Sequence, residues 1–336
     1  MLHPEKEKKF DRFNKPEKSL SPEAMEVDEP WDDQFLKCLP PTIVGFNMQE
    51  MRWMTLLVNN ISPVEWNKQA FKGLAADGET KELITALVTN KVAADESTDV
   101  ISGKGNGLIV LLHGSPGSGK TLTAESVAEH AERPLYRVTC GDIGTNAEGV
   151  EKYLKSVLEL GKIWNCVVLL DEAEVFLQER SLQDLQRNAL VSVFLRVLEY
   201  YDGILILTSN RVGTFDEAFK SRIQLSLHYE PLNEAQRRKI WENFFERLET
   251  FESKEDDVDM GNLRSSLGKL AKYKLNGRQI QNVITTARQL ACHKGKPVNF
   301  EALKHVIKVS TKFDDYLKGI DKNLDDEELA REDRLR

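Results

Sequence analysis

Continuous apolar runs alternate with segments of helical periodicity in the middle of the chain. The runs at 108–112, 167–170 and 204–207 carry no alternating polar residues. Such runs are typical of strands in a parallel sheet that helices cover on both faces. In 150–164 and 190–201, apolar residues recur every three or four positions, which indicates helices with one buried face. The pattern therefore predicts an α/β domain.

After residue 230 the strand pattern stops and helical periodicity continues. It covers 233–251, about 263–273, a segment that Asn276 would cap, and 300–317, and it predicts a small all-helical domain. The changes of pattern divide the chain into five parts. They are a polar N-terminal segment that we expect to be disordered (1–40), an approach segment packing on the core (41–107), the α/β domain (108–230), the helical domain (231–320) and a charged tail (321–336).

Composition and charge argue against several classes of protein. The chain of 336 residues has 40% apolar residues and a net charge of −8, so bulk electrostatics provides no attraction to nucleic acid or to anionic membranes. No apolar run is long enough to span a bilayer, and the first residues lack the apolar core of a signal peptide. The four cysteines lie far apart without metal-ligand spacing, so we expect reduced thiols. We expect an intracellular and most simply cytoplasmic protein, with a nucleus or an organelle left open.

A glycine-rich motif follows the apolar run at 108–112. It has the form Gly114-x-x-x-x-Gly119-Lys120-Thr121, and a helical pattern begins directly after it. Glycines can adopt positive φ angles there, so that backbone N–H groups surround a phosphate. Lys120 would add positive charge for the outer phosphates, and the Thr121 hydroxyl would bind Mg²⁺. The expected nucleotide-binding residues of this motif are Gly114, Ser115, Pro116, Gly117, Ser118, Gly119, Lys120, Thr121 and Leu122.

Polar side chains also follow the two later apolar runs. Asp171 and Glu172 end the run at 167–170, and Asn210 lies after the run at 204–207. Because parallel strands deliver their carboxyl ends to the ligand crevice, we expect Asp171 to hold Mg²⁺ together with Thr121. Glu172 would polarise the attacking water, and Asn210 would bridge that water and the γ-phosphate. The alternatives are the solvated start of a helix for the acidic pair and a simple turn residue for Asn210.

These motifs resemble Walker A, Walker B and sensor 1 of the AAA+ ATPases. The likeness covers about residues 42–320, and it is closest to fungal AAA-type ATPases in the segments 101–129 and 215–223. The resemblance implies a P-loop NTPase fold, with a five-stranded parallel sheet followed by a helical lid. It also implies ATP and Mg²⁺ as cofactors, and a homo-oligomer that is commonly a hexameric ring.

The resemblance assigns two further arginines. Arg222 matches the arginine finger, and its position between a short predicted helix and an edge strand would let it reach the site of a neighbouring subunit. A surface arginine near a helix end is the competing interpretation. Arg278 matches sensor 2, with a plain surface arginine as an equal alternative. Phe71 and Leu74 are candidates for contact with adenine, although packing in the core is the favoured role for both.

One segment departs from the better-known relatives. Protein-threading members carry an aromatic residue in the loop after the second strand, whereas 140–146 contains none. We therefore expect an ATPase that remodels or moves an unidentified protein partner, and whether it threads polypeptide stays open. Two rivals stay open. One is a nucleotide-dependent scaffold with little turnover, and the other is a P-loop kinase acting on a small acceptor.

Overall fold

The computed structural model describes residues 37–93, 107–139, 146–177, 184–210, 215–251 and 258–321. The chain divides into two compact units, one holding the residues up to Val64 and the other the residues from Glu65 onward. In the first unit, strands β1 (Thr42–Asn47) and β2 (Arg52–Leu57) form an antiparallel pair. The Phe46 and Trp53 rings meet edge to face across this pair, with centroids 5.4 Å apart.

The second unit is built on a parallel sheet of five strands, which confirms the predicted fold class. The order across the sheet is β4-β5-β6-β3-β7, so β4 and β7 form its edges. The strands β5 and β6 are buried along their whole length because helices cover both faces. The strands are β3 (Leu108–Gly114), β4 (Leu135–Thr139), β5 (Val167–Asp171), β6 (Ile204–Ser209) and β7 (Leu225–Tyr229).

Seven helices flank the sheet in the described residues of this domain. One core layer packs the first three of them on β3, β5 and β6. On the other face, a Cβ added to Gly161 would lie 2.4 Å from Val168 Cγ2. The helix that carries Gly161 is therefore in close contact with β5. The helices are α1 (Lys68–Lys72), α2 (Gly78–Ala93), α3 (Lys120–His130), α4 (Ala147–Ile163), α5 (Glu174–Leu177), α6 (Leu185–Glu199) and α7 (Glu217–Lys220).

Two helices of the approach segment pack with the sheet. Helices α1 and α2 lie within the approach segment predicted for 41–107, and they share a compact unit with the sheet. Phe71 and Leu74 are 5% and 4% exposed, and both belong to the core layer that packs on β3. The Phe71 ring also stacks on His130, with centroids 4.8 Å apart. Both side chains thus have the packing role that the sequence favours.

The helical domain has its own apolar core around the fully buried Trp241. The continuous helix expected over about 263–273 is wrong, because the chain forms two short helices that meet at Ser266. Ser266 has φ −96° and ψ 0°, and its N–H is shared between Asn262 O and Leu263 O. Over 231–251 and 258–321 the structure describes five helices, which are α8 (Glu234–Phe251), α9 (Met260–Ser265), α10 (Leu267–Ala271), α11 (Gly277–Lys294) and α12 (Phe300–Asp321).

Two sequence expectations concern the chain as a whole. Within the described ranges, no helix combines the length and the apolar character needed to cross a membrane. Cys38, Cys166 and Cys292 are free thiols, and burial raises the pKa of Cys166 to about 11. Cys140 lies outside the described residues, as does the rest of 140–145, so the expectation about the loop after the second strand stays a prediction.

Candidate functional site

The glycine-rich motif joins the end of β3 to the start of α3, as the sequence predicts. Gly114, Gly117 and Gly119 take φ angles of 137°, 73° and 104°. A side chain at Gly114 is excluded, because a Cβ there would lie 2.1 Å from the carbonyl oxygen of Tyr229 on the neighbouring strand. The loop therefore leads into the N-terminus of α3, where unpaired backbone N–H groups favour an anion.

Lys120 lies folded into this loop. Its Nζ donates hydrogen bonds to Gly114 O at 2.9 Å and to Ser115 O at 2.8 Å. Burial lowers the pKa of Lys120, while the nearby Glu174 and Asp171 carboxylates oppose this shift and Arg278 adds to it. The loop thus holds a cation whose three donors can turn toward a phosphate.

Asp171 is the centre of a hydrogen-bond network at the end of β5. Its Oδ1 accepts from the Thr208 hydroxyl at 2.5 Å and from the Thr121 hydroxyl at 3.2 Å. Its Oδ2 accepts from Arg137 Nη2 at 2.6 Å. The Asp171 side chain is only 8% exposed, so these donors offset the cost of burying its charge. The predicted pair of metal ligands, Thr121 and Asp171, is in direct contact.

Glu172 has an exposed side chain on an unusual backbone. Its φ angle is +58°, a conformation that is uncommon for residues other than glycine and that often accompanies functional sites. Its N–H donates to the Thr208 hydroxyl at 3.0 Å, and the next N–H, of Ala173, donates to Thr208 O at 2.8 Å. Thr208 therefore holds the backbone after β5 in a conformation in which Glu172 faces solvent and Asp171 faces Thr121.

Asn210 follows β6 and has an exposed side chain. It lies at the carboxyl ends of the strands, as Glu172 does. Its backbone N–H donates to Glu174 Oε1 at 2.6 Å, which joins the end of β6 to the segment after β5. The two residues expected to handle water thus belong to segments that are held together by backbone and side-chain hydrogen bonds.

The two arginines differ in their surroundings. Arg222 follows α7, donates to Ala218 O at 2.9 Å and pairs with Glu199 at 3.4 Å. Its buried Nε has no hydrogen-bond partner in the described part of the chain. Arg278 is exposed in the first turn of α11. It is near enough to Lys120 for its positive charge to lower the pKa of that lysine. Asn276 caps that helix through a reciprocal pair of bonds with Gln279, as predicted.

These groups fit a nucleotide with Mg²⁺. A carboxylate oxygen and a hydroxyl oxygen 3.2 Å apart are the oxygen ligands that Mg²⁺ prefers. They lie beside a loop with positive φ angles, a buried lysine and a helix N-terminus, which together suit a polyphosphate.

Comparison with known families agrees with this geometry. Residues 110–231 match the model of the ATPase family associated with various cellular activities (AAA), and residues 232–324 match the fungal AAA+ ATPase lid domain. The chain belongs to the AAA+ ATPases. The second match covers the helical domain, which is the lid of this AAA+ protein.

Several curated relatives are similar to parts of this chain. A 26S proteasome regulatory subunit homologue of Methanothermobacter marburgensis is 28% identical over 59% of this chain and 54% of its own. Human ATPase family AAA domain-containing protein 3B is 30% identical over 39% of this chain and 21% of its own. The outer mitochondrial transmembrane helix translocase of Danio rerio is 27% identical over 62% and 56%. The chain spans about half the length of such relatives, or less.

The structure of this AAA+ ATPase adds three residues that the sequence pattern did not single out. Thr208 joins Asp171 and Glu172, Glu174 binds the backbone of Asn210, and Arg137 pairs with Asp171. In the sequence, Thr208 could have been found as the polar residue that ends the apolar run of β6. No local pattern indicated Arg137, because its contact depends on which strands are neighbours.

Proposed function

We propose that this ATPase hydrolyses ATP with Mg²⁺ and couples hydrolysis to the movement or remodelling of a protein partner. The observation that supports the reaction best is the pair formed by the Thr121 hydroxyl and the buried Asp171 carboxylate, next to the exposed carboxylate of Glu172. The Asp171 carboxylate is positioned to bind a metal, and the Glu172 carboxylate is exposed to water. Hydrolysis needs both of these roles.

Each proposed role follows from the position of the side chain. The loop amides from Gly114 to Leu122, with Lys120, would bind the phosphates. Thr121 and Asp171 would hold Mg²⁺, which neutralises phosphate charge when it is bound. Glu172 would polarise the water that Asn210 helps to orient. The charge of Arg278 already acts on Lys120, which supports a role near the outer phosphates.

Arg222 is proposed to act on the site of a neighbouring subunit in a homo-oligomeric ring, most simply a hexamer. Its ion pair with Glu199 is long at 3.4 Å, and its Nε has no partner among the described groups. To reach a phosphate, the guanidinium would give up this long ion pair and its hydrogen bond to Ala218 O. A cation supplied in this way increases the rate of phosphoryl transfer by about 10³ to 10⁵.

The protein partner is proposed from the names of the relatives. One is named a proteasome regulatory subunit homologue and another a transmembrane helix translocase, and both names describe work on proteins. The net charge of −8 supports a protein client over nucleic acid. The identity of that client follows from none of these features.

Phosphate release from ATP tests the reaction. Purified protein should release phosphate with Mg²⁺ and without any added acceptor, and EDTA should stop it. Lys120→Ala should lose nucleotide binding and release, whereas Lys152→Ala, which removes a lysine that is 75% exposed on α4, should behave like the wild type. Tight ATP binding without release would instead support a scaffold. Formation of ADP only with a small acceptor, which becomes phosphorylated while no free phosphate appears, would support a kinase.

A further inference from the structure

An arginine is bonded to the carboxylate that is proposed to hold the metal. Asp171 Oδ1 is held by the hydroxyls of Thr208 and Thr121, whereas Oδ2 accepts a hydrogen bond from Arg137 Nη2 at 2.6 Å. Mg²⁺ would need a carboxylate oxygen at about 2.1 Å in nearly ideal octahedral geometry. A guanidinium and a divalent cation on one carboxylate repel each other strongly, because both are positive and only a few ångströms apart.

We propose that Arg137 is a resident counter-ion of Asp171. The arginine takes the place of the metal on this carboxylate until Mg²⁺ arrives together with the nucleotide. The inference rests on the proposed function, since it requires Asp171 to be a metal ligand. Arg137 is a positioning residue in this account. It acts on the metal through Asp171 and has no part in the bond that is broken.

The strands explain why Arg137 can reach Asp171. Arg137 lies on β4 opposite Leu169 of β5, two residues before the pair formed by Thr139 and Asp171. Because side chains alternate along a strand, Arg137 and Asp171 project from the same face of neighbouring strands. The long arginine side chain then extends along the sheet to the carboxylate.

The arginine can also leave. Its side chain is 49% exposed on an edge strand, whereas the Asp171 side chain is only 8% exposed and fixed by two hydroxyls. A second carboxylate is available, because Glu125 lies one helical turn after Thr121 and interacts electrostatically with both Arg137 and Asp171. A displaced guanidinium therefore keeps an acidic neighbour while Asp171 stays in place.

Competition makes metal binding depend on the nucleotide. Metal alone must separate the ion pair to gain one carboxylate, whereas metal bound to ATP brings phosphate oxygens and their negative charge. If the pair is closed about nine-tenths of the time, it raises the apparent Kd for metal alone by about tenfold. Removing the guanidinium should remove this penalty.

Binding of Mn²⁺, followed by electron paramagnetic resonance, tests the proposal on the full chain without nucleotide. Arg137→Met and Arg137→Gln should bind Mn²⁺ about tenfold more tightly than the wild type. Arg137→Lys, which keeps the charge, should bind weakly like the wild type. Arg133→Met is the matched control, because Arg133 precedes the same strand and donates instead to Asn165 O. Equal or weaker binding in both neutral variants would overturn the proposal.

Asp171→Asn separates this inference from the proposed function. In the Arg137→Met background it should abolish the gained Mn²⁺ binding. If the gain survives Asp171→Asn, the bound metal is not on Asp171 and the proposed metal site is wrong. If Asp171→Asn removes metal binding measured with an ATP analogue, but no Arg137 variant changes binding of metal alone, the metal site stands and only the role of Arg137 is overturned.

A second measurement compares how much a nucleotide increases the affinity for metal in the wild type and in the variants. A non-hydrolysable ATP analogue should increase Mn²⁺ affinity in the wild type by about tenfold more than in Arg137→Met or Arg137→Gln. The same increase in wild type and variants would contradict the proposal.

Discussion

The carbonyl oxygen of Gly117 accepts a hydrogen bond from the backbone N–H of Gly277 at 2.9 Å. Gly117 belongs to the proposed phosphate-binding loop, and Gly277 is the first residue of α11 in the lid. This bond connects the loop directly to the helix that carries Arg278. A change in the loop on nucleotide binding would therefore be transmitted to the lid through backbone atoms, independently of side-chain contacts.

Gly117→Ala should weaken nucleotide binding and loosen the contact between loop and lid. Gly117 has φ +73°, and a Cβ there would lie 2.6 to 2.8 Å from the side-chain atoms of Asn276. Strained backbone of this kind costs about 1–3 kcal/mol, so binding of a fluorescent ATP analogue should weaken by about tenfold or more. Gly268→Ala in α10 is the control, because its Cβ would meet no atom within 4 Å. Equal affinity of both variants would show that the loop tolerates a side chain.

Thr208→Val should damage the site while keeping its shape. The Thr208 hydroxyl donates to Asp171 and accepts from the Glu172 N–H, so valine removes the shortest of the hydrogen bonds to Asp171 and the acceptor of the Glu172 N–H. Each such loss costs about 1–3 kcal/mol, which should appear as a lower free energy of unfolding in urea and as a large fall in kcat. Thr208→Ser restores the hydroxyl and should recover most of both quantities. A fully active Thr208→Val protein would argue against this network.

The sheet and the outline of the site follow from local sequence patterns. Buried parallel strands need continuous apolar residues, and their ends are marked by residues that apolar packing does not explain, such as Asp171 and Asn210. The glycine-rich loop is equally local, because the φ angles and the helix start are set within eight residues. These patterns predicted both the α/β domain and the residues expected to bind phosphate.

Contacts between distant segments were beyond such reasoning. Arg137 and Asp171 are 34 residues apart, and their ion pair exists only because β4 and β5 are neighbours in the sheet. The bond between Gly117 and Gly277 likewise depends on how the lid packs on the core. The sequence pattern did not indicate that the helix predicted over 263–273 is divided at Ser266. The apolar spacing continues through both short helices because they pack on the same core.

Mixed rings test the proposed role of Arg222. Glu172→Gln subunits keep the arginine but lack the base, and Arg222→Ala subunits keep the base but lack the arginine. Each variant alone should bind ATP and release almost no phosphate, whereas mixtures should recover part of the wild-type rate because some interfaces combine an intact base with an intact arginine. Glu199→Gln tests the resting ion pair and should not reduce the rate.

Two results would remove the trans-acting role. One is an Arg222→Ala protein as active as the wild type. The other is a mixture as inactive as its parents although native mass spectrometry shows both subunits in the same ring. A surface arginine at a helix end would contribute well under about 1 kcal/mol to stability and nothing to the rate.

Turnover by Glu172→Gln is the most direct test of the proposed chemistry. The amide has nearly the size of the carboxylate but cannot accept a proton, so ATP and Mg²⁺ should bind within about threefold of the wild type while phosphate release falls by about 10² to 10⁴. Glu301→Gln, which changes a side chain that is 73% exposed on α12 of the lid, is the matched control and should keep the wild-type rate. Single-turnover release of labelled phosphate from bound ATP measures this step alone. The account predicts retained, uncleaved ATP in Glu172→Gln, and release within a few-fold of the wild type would contradict it.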